Sequence, residues 1–182
     1  AHPITHVVFG GLYDEADRPW AERLAACAPL ARLRRASIYG PLADDAFVTR
    51  LVRSAAADRM EELELVDTRI TAAGLSELLG GMRALRELSF IQSNAPFVPS
   101  EVDVYYAIAT APGAERLTRL RLGCQDGVTA AAEWVAASPR LGGLTSLSLG
   151  VTTDRGEPLG FDALMRLARA PHLRGLKSLD LA

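Results

Sequence analysis

Seven times along this chain an apolar residue is followed by a second three positions later and a third two positions after that. The triplets are Ile4-Val7-Phe9, Leu33-Ala36-Ile38, Met60-Leu63-Leu65, Leu85-Leu88-Phe90, Leu117-Leu120-Leu122, Leu144-Leu147-Leu149 and Leu176-Leu179-Leu181. Their starts lie between 25 (Met60 to Leu85) and 32 residues (Leu85 to Leu117) apart. A recurrence at that period means stacked units rather than one closed core, because no single unit can bury its apolar face alone. Within each triplet the last two residues sit at i and i+2, which a strand sends to one face. Helical spacing follows each strand, so the unit reads strand, turn, helix, return. Successive strands joined this way run parallel, and the crossover is right-handed in nearly all proteins. Strands stack ~4.8 Å apart while helices need ~8–10 Å. The helical side must fan out, which leaves the strands on a concave wall and the helices on a convex one.

The second half of the unit repeats as well. After Met60-Glu61-Glu62-Leu63-Glu64-Leu65 come Ile70, Gly74, Leu75, Leu78 and Leu79; Leu159, Ala163, Leu164, Leu167 and Ala168 follow the sixth strand, and Leu42, Ala46, Phe47 and Leu51 the second. The pattern resembles the leucine-rich repeat in its long, helix-bearing, ribonuclease-inhibitor-like form, from Ile4 to Leu181. The resemblance implies an α/β, right-handed solenoid, and a surface that binds another protein. It departs from the family at the third position after each strand's last apolar residue, where Asn or Cys is frequent. Leu12, Pro41, Thr68 and Gln125 stand there, and Asn94 and Thr153 align one position further on, so only Asn94 matches the family's residue type.

Residues 1–182 read as a single domain of six full repeats plus a seventh strand. A terminal repeat usually needs a polar cap, and Leu176–Leu181 has none in the sequence, so the expectation is an excerpt of a longer protein. Self-association through that exposed strand edge is the other way to cover it. Helix signals agree with the units: Pro19, Thr71, Thr129 and the Ser100/Asp103 pair at starts, and Gly80-Gly81, Pro112-Gly113, Pro139 and Pro171 at ends. Trp20 and Trp134 are expected to pack between units.

The outward strand positions fall into three rows. The first is His6, Arg35, Glu62, Glu87, Arg119, Ser146, Ser178; the second Val8, Ser37, Glu64, Ser89, Arg121, Ser148, Asp180; the third Gly10, Tyr39, Val66, Ile91, Gly123, Gly150, Ala182. Charge alternates along them, from Arg35 to Glu62, Glu64 and Glu87, then to Arg119 and Arg121. One reading is a self-paired, solvated ladder; the other is an acidic patch flanked by arginine that orients a charged partner. Tyr39, Val66 and Ile91 stand side by side, either as an exposed hot spot or under a neighbouring loop. The two long units carry their extra residues at 92–99 and 151–158, a rim where solenoid insertions gather. Phe97 either anchors a partner there or tucks back over Tyr39 and Ile91. Beyond Ile91 the wall turns small at Gly123, Ser146, Ser148 and Gly150, which either lets another backbone approach or is simply unselected surface.

Composition narrows the function. The net charge of −2 gives no pull toward nucleic acid or membrane, and no apolar run approaches the ~18 residues of a membrane span. Arg32-Leu33-Arg34-Arg35 is too short a basic run for a nucleic-acid site. No signal peptide is visible, but the chain begins without Met, so this says little. Cys27 and Cys124 carry no disulfide or metal spacing, which fits a reducing, cytoplasmic compartment. Lys177 stands as the single lysine among 20 basic residues, a bias that points to a GC-rich bacterial genome. There is no phosphate-binding glycine loop and no nucleophile elbow. The histidines, His2, His6 and His172, do not converge as metal ligands, and Asp44-Asp45 suits a helix start. No cofactor, metal or catalytic residue is expected. The sequence reads as a protein-interaction module binding through its concave face and the adjacent rim, by way of Arg35, Tyr39, Glu62, Glu64, Val66, Glu87, Ile91, Phe97, Arg119 and Arg121. The alternative is a regulatory or recognition arm for an enzyme elsewhere in the polypeptide or bound in trans.

Overall fold

The computed structural model describes residues 6–10, 32–93, 101–124, 127–151 and 159–181. Seven strands form one sheet in chain order: β1 (His6–Phe9), β2 (Arg35–Tyr39), β3 (Glu62–Val66), β4 (Glu87–Ile91), β5 (Arg119–Cys124), β6 (Ser146–Val151) and β7 (Ser178–Leu181). Every pairing is parallel. Five described helices connect them: α1 (Asp45–Val52), α2 (Ala72–Gly81), α3 (Glu101–Thr110), α4 (Val128–Ala137) and α5 (Phe161–Arg169). Each packs on the next in chain order. This open parallel sheet, with one helix in each of the five crossovers from β2 to β7, is the α/β leucine-rich-repeat solenoid that the apolar spacing implies.

The apolar triplets form the core. Leu63, Leu65, Leu88, Phe90, Leu120, Leu122, Leu147 and Leu149 are all 2 % exposed or less. Burying a side chain of this size is worth ~1.5–3 kcal/mol, so each strand contributes through contacts that only its neighbours supply. A backbone ladder repeats one residue ahead of each strand from β3 to β7: the amides of Glu61, Arg86, Thr118, Thr145 and Lys177 donate to the carbonyls of Arg34, Glu61, Arg86, Thr118 and Thr145 at 2.7–2.9 Å. It extends the register whatever the side chain. At the C-terminal edge the burial fails. Leu179 is 44 % and Leu181 40 % exposed, although both continue the apolar columns of Leu147 and Leu149.

Local signals act largely as the sequence implies. The Asp44 carboxylate accepts from Phe47 N–H at 2.9 Å and caps α1. Thr71 caps α2 through Ala73 N–H. Asp45 ties the two helices, accepting from the Thr71 amide at 2.8 Å and the Thr71 hydroxyl at 2.6 Å. Pro139 and Pro171 open short 3-10 turns, Pro139–Gly143 and Pro171–Gly175, immediately after α4 and α5. Thr129 is a correction. Gly127, at φ 102, takes the cap of α4, which leaves Thr129 inside the first turn. Its hydroxyl instead accepts the amide of Gly160, the cap of α5, at 3.1 Å. Trp134 packs between units as expected, its ring edge-to-face with Tyr106 on α3 at 4.8 Å between centroids. Pro19, Trp20, Cys27 and Ser100 lie outside the described residues.

Candidate functional site

The strand register assembles the three rows. Arg35, Glu62, Glu87, Arg119 and Ser146 are successive partners in the first row, and Ser37, Glu64, Ser89, Arg121, Ser148 and Asp180 in the second. Tyr39, Val66, Ile91, Gly123 and Gly150 follow in the third. A groove of ≈ 280 Å³ runs over the middle strands, with Glu64, Ser89, Arg121 and Ser148 among its walls. Nine of the ten residues singled out in the sequence therefore share one wall; Phe97 lies outside the described residues.

The two charged rows behave differently. In the first, opposite charges stand on adjacent strands and pair: Arg35 Nε reaches Glu62 at 3.1 Å and Arg119 Nη1 reaches Glu87 at 3.0 Å. Both pairs are solvent-exposed, so each contributes no more than ~1 kcal/mol. The self-paired reading holds for this row. In the second row a serine separates every charge from the next. Glu64 accepts a hydrogen bond from the Tyr39 hydroxyl at 3.0 Å. Asp180 accepts one from Ser148 at 3.2 Å. Arg121 is exposed and meets no carboxylate among the described residues.

Tyr39, Val66 and Ile91 are half-buried, neither wholly free nor closed over. The bond that Tyr39 donates to Glu64 raises its pKa above the usual phenol value; burial and the nearby Glu64 charge add to this, and a bond from Ser37 opposes it. Gly123 corrects the expectation of an approachable small-residue wall: it is buried, while Ser146, Ser148 and Gly150 remain half-exposed.

Several features escaped the sequence. Ser89 Oγ is shielded from solvent and has no hydrogen-bond partner among the described residues. The turn after β3 is satisfied by Asp67, at φ 52, whose carboxylate takes the Ser93 amide at 2.7 Å, and by buried Gln92, which donates to Thr68 O at 3.0 Å. At this turn they stand in for the Asn that the repeat pattern lacks. A larger groove of ≈ 520 Å³ lies on the helical side between α4 and α5, lined by Ala136, Met165, Arg166 and Pro171. Among the described residues no three potential metal ligands converge, and no helix is long and apolar enough to cross a membrane.

No protein-family model matches the sequence, and no curated protein matches it. Among solved structures, the chain is similar to an internalin (InlF) from Listeria monocytogenes, at 16 % sequence identity and a TM-score of 0.46. The match covers 98 % of this chain and 48 % of the internalin, so the chain spans about half the length of that protein.

Proposed function

We propose that this chain is a protein-interaction module that takes a protein partner on its concave strand face. One observation carries the reading. The register sets a continuous apolar shelf, Tyr39–Val66–Ile91, directly beside a row whose charges meet no partner of opposite sign among the described residues. An aromatic and aliphatic centre with a polar surround is the usual composition of an energetic hot spot. The neighbouring residues 92–99 and Phe97 belong to the same proposed surface as its rim. Capture from a lysate, comparing the native chain with a Tyr39→Ala/Ile91→Ala variant of unchanged circular dichroism, tests it. Partners retained by the native chain and lost by the variant support the concave site. Equal retention moves the site to another face.

A further inference from the structure

The contrast between the two charged rows carries information about the partner. Adjacent strands lie ~4.8 Å apart, within reach of an arginine and a glutamate, and the first row neutralises itself at that spacing. In the second row the sequence Glu64, Ser89, Arg121, Ser148, Asp180 places charges on alternate strands. Two strand spacings put their backbones ~10 Å apart, about one screening length in physiological salt, and among the described residues no ion pair joins them. The serines are too short to bridge the interval. The row thus presents negative, positive and negative groups at a fixed interval, bordered by a neutralised row on one side and the apolar shelf on the other.

We infer that this row is a charge template for a protein segment crossing the strands, carrying a basic, an acidic and a basic side chain ~10 Å apart. The inference rests on the concave-face reading above and names the chemistry of its partner. The acidic group pairs with Arg121, the exposed cation at the centre, and the basic groups with Glu64 and Asp180. An interval of ~10 Å corresponds to seven residues along one face of an α-helix, or to three residues of an extended polyproline-type segment. Opposed potentials of this kind fix register and orientation as much as they add affinity.

A phage-displayed library of random sixteen-residue peptides, selected on the full chain, supplies the probe. The expected result is enrichment of peptides with an acidic residue flanked by basic ones at intervals of three or seven. Their binding should fall about tenfold or more in Arg121→Glu and return when the peptide's acidic residue is changed to Lys. Arg121→Gln should weaken binding less, and Arg140→Glu on the helical side should leave it unchanged. Enriched peptides without the pattern, no enrichment, or binding indifferent to Arg121→Glu would overturn the template. Peptides lost in Tyr39→Ala/Ile91→Ala but retained by Arg121→Glu would sink the template alone. Peptides retained by both would sink the concave site with it.

Discussion

Ser89 occupies the least comfortable position on the concave wall: its hydroxyl is screened from water and bonded to nothing described. An unsatisfied buried hydroxyl costs ~1–3 kcal/mol, so Ser89→Ala should leave the free chain equally or more stable in urea unfolding; a marked loss would show a bond formed in solution. Tyr39 offers a second check. Its phenol is held protonated above the ordinary value of ~10, first by donating to Glu64 and then by burial. A raised folded-state pKa contributes stability that is complete below the unfolded value and is lost as pH rises through the folded one. Stability from this contact should therefore be flat up to about pH 10 and decline above it. Ring-proton NMR of Tyr39 should show a late titration that moves down in Glu64→Gln. The pairing of Arg35 and Arg119 was legible in the sequence as opposite charges one strand apart. That Arg121 meets no carboxylate among the described residues was legible only as spacing, a serine standing beside it on each neighbouring strand.

The strands were readable because burial on one side forces the same spacing every time. Leu63, Leu88, Leu120 and Leu147 fall into one column for that reason alone. Helix starts were readable where a side chain makes the cap, as at Asp44 and Thr71. They were not where backbone conformation does: Gly127 enters α4 at positive φ and displaced the threonine that the sequence favoured. The turn after β3 hid its chemistry similarly, since Asp67 and Gln92 satisfy it from positions flanking the expected one. Gly74, in α2, marks a close approach between elements. A Cβ there would lie 2.2 Å from Asp45 Oδ1, the carboxylate that holds Thr71. Despite alanine's better helix propensity, Gly74→Ala should destabilise by ~1–3 kcal/mol through overpacking and loss of that tie. The thermal midpoint would report this, and an unchanged midpoint would mean that Asp45 moves aside freely.

Across the whole molecule, position in the stack outweighs residue type. Leu120 and Leu179 occupy equivalent places in their units, yet one is 2 % and the other 44 % exposed. Leu120→Ala should cost ~2–5 kcal/mol in chemical denaturation, and Leu179→Ala well under half of that. The backbone ladder ahead of each strand has a different consequence. It joins neighbours through main-chain groups alone, so a unit inserted between β4 and β5 would reproduce it whatever its side chains, although the Glu87–Arg119 pair would be lost. Such an insertion would widen the interval from Glu64 to Arg121 by one strand, ~4.8 Å. Unit number then acts as the graduation of a ruler, and a duplicated repeat would re-tune which ligand the same residues measure.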